Sequence, residues 1–308
     1  MVKIATLTLN PALDVATITP KIRPTHKLRC ADPLYDAGGG GINVARGLYA
    51  LGEEAIAIFP SGGPPGDMIC RLLGAAHISF APVPIAGLTR QSFAVTEGES
   101  DAQYRFVLPG PVLTEEAQRD IFERIFAIGP QLRYLVISGS IPPGITQHFF
   151  ARLHDVCTAL NIHVLLDSSG QGLAMSRGLK ALLVKPSLSE LEAMAGCALP
   201  DDDSRIAAAR KMIADGHAEN VLLSLGEQGA LLIDSQENHC FASPTVTVVS
   251  GIGAGDSMVA AVTWALAHDW PLIDAARYGV AAGAAALMSP ATRLFRKADA
   301  DRLHREMK

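Results

Sequence analysis

The sequence predicts an α/β fold whose central, mostly parallel sheet is covered by helices, and three observations carry that prediction. Short β-branched and aliphatic runs alternate with helical patterns over most of the 308 residues. The runs are the apolar kind that a sheet buried on both faces requires. Acids or Ser/Thr stand near the starts of several helical patterns, as helices set between strands require.

The predicted strands are Ile4–Leu9, Ala55–Phe59, Leu132–Ser138, His163–Asp167, Ala181–Lys185, Val221–Ser224 and Ala230–Ile233. Between them, Ile42–Ala50, Asp67–Ala75, Thr114–Ala127, Gln147–Leu160, Ser189–Ala195 and Ser204–Ala214 carry apolar residues at three- and four-residue spacing, with acids or Ser/Thr near several starts. Gly279–Met288 is apolar but far shorter than the roughly twenty residues that span a bilayer, so it is expected to be a core helix.

Two stretches interrupt the alternation. Val15–Pro33 mixes prolines with β-formers, and Gln91–Thr96 with Gln103–Leu108 reads as two strands joined by the polar tip Glu97–Ala102. Together they are expected to form a small β-layer from about 15–33 and 90–108, a lid on one domain spanning 1–308.

Composition excludes several classes of function. A net charge of −5 lacks the basic excess that neutralises a nucleic-acid backbone. Five scattered cysteines with no C-x-x-C pair read as reduced thiols, and Asn10-Pro11 ends the first apolar run before it could serve as a signal sequence. The expectation is therefore a cytoplasmic enzyme without nucleic-acid or membrane partners. No G-x-S-x-G elbow and no H-E-x-x-H pair is present, so nucleophilic or zinc hydrolysis has no support.

The sharpest motif is Ser250-Gly251-Ile252-Gly253-Ala254-Gly255-Asp256-Ser257 before the apolar helix Met258–Leu266. Glycines there let the first helical amides point outward, where they and the helix dipole stabilise an anion. The spacing is not the dinucleotide fingerprint, because its third glycine would fall at Asp256, and the chain has no Gly-Lys dipeptide for a P-loop. What remains is an anion hole beside a carboxylate, the pair that phosphoryl transfer to a hydroxyl needs: Asp256 as base, and the amides of Gly253, Ala254 and Gly255 on the transferring oxygens.

A second turn, Asp36-Ala37-Gly38-Gly39-Gly40-Gly41-Ile42-Asn43, leaves backbone amides open to a polar ligand and places Asn43 where it could read a hydroxyl. A third constellation joins Lys185-Pro186-Ser187-Leu188-Ser189-Glu190 to Ser224-Leu225-Gly226-Glu227-Gln228-Gly229. Both follow strands, at the sheet edge where ligands of parallel sheets gather, and together they could hold nucleotide phosphates and magnesium.

Thr8-Leu9-Asn10-Pro11-Ala12-Leu13-Asp14, the Gly38–Arg46 turn, Ser138-Gly139-Ser140-Ile141-Pro142-Pro143-Gly144, Lys185-Pro186 and Gly253-Ala254-Gly255-Asp256 together resemble the ribokinase and phosphofructokinase-B family of carbohydrate kinases. The resemblance covers nearly the whole chain. Ala16–Pro20, Lys27–Cys30 and Tyr104–Val107 are most similar to its 6-phosphofructokinase branch. It implies a ribokinase-like sheet with a β-lid that often joins two subunits, and an ATP- and magnesium-dependent conversion of fructose 6-phosphate to fructose 1,6-bisphosphate, a step of glycolysis.

Carried over by position, the resemblance puts Asp14, Gly39 and Asn43 on the sugar hydroxyls with Ser138 or Ser140 nearby. Arg90 would grip the substrate phosphate with its forked donors, helped by Lys27 and Arg29. Lys185, Ser187, Ser224, Gly226 and Gly229 fall at nucleotide positions, and Glu190 at the acid that orders magnesium through water. Backbone near Ser250, Ile252 and Ala286 falls at a monovalent-cation site, expected for potassium. Relatives usually carry asparagine at Ser187 and threonine at Gly251. Tagatose 6-phosphate and fructose 1-phosphate remain alternative acceptors at this point, and a sugar-phosphate-binding protein that has lost transfer remains the alternative of another class.

Overall fold

The computed structural model describes residues 2–290 and 294–307. Its strands, in chain order, are β1 (Ile4–Leu7), β2 (Ala12–Thr19), β3 (Leu34–Gly38), β4 (Ala55–Ser61), β5 (Phe80–Pro84), β6 (Arg90–Glu97) and β7 (Gln103–Val107). These are followed by β8 (Tyr134–Ser138), β9 (His163–Asp167), β10 (Ala181–Val184), β11 (Ala218–Ser224), β12 (Ala230–Ile233) and β13 (Asn238–Phe241).

Nine of them form one sheet in the order β13-β12-β11-β10-β9-β8-β1-β4-β5. Every pairing from β11 to β5 is parallel, and only β12 and β13 turn antiparallel at one edge. Side-chain alternation sends Ile4 to one core and Ala5 and Leu7 to the other, so β1 is buried on both faces and reads as a continuous apolar run. The helices Gly40–Ala50, Gly63–Ala75, Ala254–Ala267 and Leu272–Leu287 cover one face; Glu115–Ile128, Gln147–Ala159 and Asp202–Ala214 cover the other. The apolar run near Gly279 is a core helix as expected: a Cβ on Gly279 would lie 2.5 Å from Val262 Cγ2, so glycine lets Leu272–Leu287 pack tightly on Ala254–Ala267.

The second sheet has the order β3-β2-β6-β7. The sequence reading differs from it in one respect: Val15–Pro33 supplies a strand only as far as Thr19, residues 20–33 form no strand, and the return strand β3 runs straight into the helix at Gly40. Two edge strands of the large sheet, β5 and β13, were also not expected. Pro82 and Pro84 lie in β5, and prolines are tolerated there because an edge strand has one unpaired side. Among the described residues no helix is long and apolar enough to cross a membrane, and all five cysteines are free thiols.

Candidate active site

The large sheet delivers its polar residues at one end. Ser138 closes β8, Asp167 closes β9, Lys185 follows β10 and Ser224 closes β11, all at carboxyl termini of parallel strands. The Gly40–Ala50 and Ala254–Ala267 helices begin beside that edge, and Asp256 falls in the first turn of the second.

Gly253 is the N-cap of that helix with φ +81°, a left-handed conformation that glycine adopts without strain. It brings no side chain to cap the helix, so the first-turn amides stay available to an anion. The Asp256 carboxylate is held on both oxygens: Asn43 Nδ2 donates to Oδ2 at 2.9 Å, and Ser138 Oγ donates to Oδ1 at 3.2 Å. Burial, reinforced by the nearby Asp167 carboxylate, pushes its pKa up to about 6, against the pull of Asn43, Lys185 and Ser138. A carboxyl poised there is half-ionised near pH 6 and mostly ionised at neutrality, the state in which it could accept a proton.

Beneath the turn lies a feature the sequence did not reveal. Lys185 is buried, with its Nζ 3.1 Å from Asp167 Oδ1 and about as close to where a Cβ on Gly255 would stand, 3.5 Å. Burial alone would lower its pKa; Asp167, Glu190 and Asp256 reverse this and keep the ammonium charged. That charge sits directly under the anion turn. The signal for Asp167 was present, since an acid at the carboxyl end of a predicted parallel strand points to this edge.

The four-glycine turn is explained by close approach more than by open amides. A Cβ on Gly38 would lie 2.1 Å from Asp14 Oδ2, on Gly39 2.6 Å from Thr8 Cγ2, on Gly40 2.2 Å from Ser138 Oγ, and on Gly41 2.6 Å from Thr8 Oγ1. A side chain at Gly38 would displace Asp14, and one at Gly40 would displace Ser138, which holds Asp256. Asp14 itself stands on β2, and burial together with Asp36 raises its pKa to about 6 despite Arg90, Arg105 and Arg46. Asp14, Asn43, Arg46, Arg105, Ile252 and Gly253 line one cavity between the small sheet and the anion turn.

Arg90, at the start of β6, gives Nε and Nη2 to the Asn10 carbonyl at 3.3 and 3.1 Å and Nη1 to Leu108 O at 3.3 Å. Two of its five N–H groups remain for a ligand. Asn10, another residue that went unnoticed, also donates through Nδ2 to Ser140 Oγ at 3.1 Å, tying the loop after β8 to the small sheet. Lys27 and Arg29 lie exposed on the 20–33 crossing, and among the described residues neither side chain bonds to the cluster.

On the other flank, Ser187 and Ser224 are bridged in parallel, and Ser224 N donates to Pro186 O at 2.9 Å. Ser187 caps the helix Leu188–Ala195 in a capping box: its Oγ accepts from Glu190 N, and Glu190 Oε2 accepts from Ser187 N at 2.7 Å. Serine and asparagine are equally good N-caps, so serine here keeps Glu190 tied to the start of the helix through Oε2. Gly226 and Gly229 have φ +59° and +98°, and a Cβ on Gly229 would lie 1.9 Å from Phe241 O. Ser250 N donates to Leu287 O at 3.2 Å, which sets Ser250 and Ile252 beside the carbonyl end of the helix that carries Ala286.

A buried carboxylate on a glycine-opened helix, at the carboxyl edge of a doubly covered parallel sheet with a second small sheet, fits a phosphotransferase of the sugar-kinase class. Residues 7–298 match the pfkB family of carbohydrate kinases, and the chain belongs to that family. It is 45% identical over 97% of its length to the ATP-dependent 6-phosphofructokinase isozyme 2 of Mycobacterium tuberculosis, covering 88% of that protein. To the Escherichia coli protein of the same name it is 42% identical over 99% of its length, covering 98% of that protein. Crystal structures of Escherichia coli phosphofructokinase-2 superpose with a TM-score of 0.93 for the complex with potassium and 0.90 for that with fructose-6-phosphate, each over 100% of this chain and 99% of the other. A third structure of that protein is of its tetrameric inhibited form, at a TM-score of 0.90, 40% identity and the same coverage. Arabidopsis thaliana ribokinase, 15% identical with a TM-score of 0.78 over 99% of both chains, shares the fold.

Proposed function

We propose that this chain transfers the γ-phosphoryl group of ATP to the C1 hydroxyl of fructose 6-phosphate, giving fructose 1,6-bisphosphate and ADP in the cytoplasm. The observation that carries the reading is Asp256, buried, held on both oxygens and set in the uncapped first turn of Ala254–Ala267.

In this mechanism Asp256 takes the proton of the acceptor hydroxyl as its oxygen bonds to phosphorus. The amides after Gly253, with Lys185 beneath them, stabilise the charge that gathers on the equatorial oxygens. Asn43 and Ser138 keep the carboxylate aimed, and Asp14, Gly39 and Ser140 receive the other sugar hydroxyls. Arg90 offers its two remaining N–H groups to the substrate phosphate, with Lys27 and Arg29 as further cations from the 20–33 crossing. The small sheet closes over the sugar and keeps water from competing with it.

Lys185, Ser187, Ser224, Gly226 and Gly229 line the nucleotide flank. Among the described residues no cluster of three or more acidic, His or Cys ligands is preformed, which fits magnesium held mainly by phosphates and water with Glu190 Oε1 in its outer shell. Bound magnesium would neutralise charge between the phosphates. The helix-end carbonyls near Ser250, Ile252 and Ala286 suit potassium, the ion named with the Escherichia coli relative.

The reading includes a homodimer through the small sheet. One face of that sheet presents Tyr35, Val15, Phe93 and Phe106 in one cross-strand row, and Phe106 is 54% exposed. Light scattering of the purified chain distinguishes a dimer from a monomer or a tetramer. A coupled ADP-release screen over sugar monophosphates tests the activity: fructose 6-phosphate should give the highest kcat/KM, and ATP turnover with no acceptor in the panel would overturn the reading.

A further inference from the structure

We infer that Asn10 is a positioning residue whose side chain fixes the small sheet against the loop that supports Asp256, so that the sheet covers the sugar in register with the carboxylate. The inference rests on the sugar-phosphate kinase reading and adds to it the part that couples the lid to the site of transfer.

Four crossings join the small sheet to the rest of the chain: residues 8–11 lead into β2, residue 39 out of β3, residues 85–89 into β6 and residues 108–114 out of β7. Asn10 stands in the first and is 7% exposed. Its carbonyl accepts from Arg90 at the head of β6, and a Cβ on Gly110, in the last crossing, would lie 2.0 Å from its Oδ1. Its Nδ2 reaches out of this hinge to Ser140 Oγ at 3.1 Å. The loop that receives it, residues 139–144, is held to the core: Gly139 N donates to Asp167 O at 2.9 Å, and Ser168 Oγ donates to Gly139 O at 2.9 Å. The same loop pins the last crossing, through Leu113 N donating to Pro143 O at 2.8 Å. It starts directly after Ser138, whose Oγ donates to Asp256. Two lid crossings and the carboxylate therefore share one support.

An amide is a costly way to fill this space. The Asn10 Oδ1 is buried and has no hydrogen-bond partner among the described residues, and an unsatisfied buried oxygen works against the fold. Leucine has nearly the same shape and carries no such cost, so a residue that only packs has no need of the amide. What the amide adds is the bond to Ser140, which no apolar side chain makes. The competing account is an asparagine that merely braces the turn before β2.

The test follows the γ-phosphoryl group of ATP, with fructose 6-phosphate supplied, in the wild type, Asn10→Leu, Ser140→Ala and the double variant. Two products are measured: sugar bisphosphate, and the inorganic phosphate formed when water takes the group instead. With the tie broken the lid no longer holds its register, so Asn10→Leu should raise the ratio of inorganic phosphate to sugar bisphosphate roughly 2- to 10-fold, the range of one neutral hydrogen bond. Ser140→Ala breaks the same bond from its exposed end and should raise the ratio too, whether or not Asn10→Leu folds well. In the double variant the two effects on the ratio should not compound. A folded Asn10→Leu or a Ser140→Ala that keeps the wild-type ratio would make Asn10 structural, and compounded effects in the double variant would mean that the two residues act apart; either result overturns the inference. A wild type that forms no sugar bisphosphate would overturn the sugar-phosphate reading itself, an outcome the wild-type data alone reveal.

Discussion

Asn43 and Asp256, 213 residues apart in sequence, are joined by a 2.9 Å hydrogen bond from the Asn43 amide to the Asp256 carboxylate. The bond links the first turns of two helices that both open on glycine. Asn43 was expected to read a sugar hydroxyl; the structure shows its amide holding the carboxylate proposed as base.

This bond makes the acid limb of the pH profile a prediction. Asp256 must be ionised to accept a proton, and its pKa near 6 means that kcat/KM falls as pH drops through about 6. Asp14 titrates in the same range, so the limb should be steeper than one proton allows. Because the Asn43 bond lowers the Asp256 pKa, Asn43→Leu should move the limb to higher pH. A profile flat down to pH 5 would contradict the assignment.

The same burial predicts a conflict between stability and activity. With a folded pKa near 6 and a reference of 3.8, the native state binds more protons than the unfolded chain between those values, so stability falls as pH rises through them. At pH 8 the ionised carboxylate costs the fold on the order of 1–3 kcal/mol. Asp256→Asn should therefore melt a few degrees higher than wild type at pH 8, with the difference vanishing near pH 4. Its kcat should fall roughly 10²- to 10⁴-fold. Thermal denaturation at the two pH values, beside turnover, checks both halves.

Gly40→Ala and Gly251→Thr separate close approach from mere flexibility. The first puts a methyl group 2.2 Å from Ser138 Oγ and 2.7 Å from Gly139 N, and should cut kcat at least 10-fold by displacing the Asp256 support, on the reasoning that small misplacements of reacting groups are expensive. The second restores the residue common in relatives at an exposed site where a Cβ meets nothing within 4 Å, and should leave turnover within a few-fold of wild type. Steady-state kinetics of the two variants decides.

Lys185→Met strands the buried Asp167 carboxylate. Removing one member of a buried ion pair typically costs about 3–5 kcal/mol, and here it also removes a charge that lowers the Asp256 pKa. Denaturant unfolding should show the loss, and the acid limb of kcat/KM should move to higher pH. Lys185→Met with Asp167→Asn should recover much of the stability.

Much of this architecture was legible because period and spacing report it directly. Strands such as His163–Asp167 and Ala230–Ile233 are apolar on both faces and appear at the predicted residues. The anion turn was legible because three glycines in Gly251–Gly255 exceed what a helix start needs. The edge strands β5 and β13 escaped notice, because an edge tolerates proline and polar residues that argue against a strand in isolation. The Lys185–Asp167 pair and the anchoring of Arg90 by Asn10 were illegible for another reason: each joins segments that only the parallel order of the sheet brings together, and no local pattern records it.

The most direct test is a crystal structure with fructose 6-phosphate and a nonhydrolysable ATP analogue. The account predicts the C1 hydroxyl within about 3.2 Å of the Asp256 carboxylate, and the γ-phosphate against the amides of Ala254 and Gly255. Sugar or nucleotide lodged away from that helix start, with Asp256 touching neither, would contradict it.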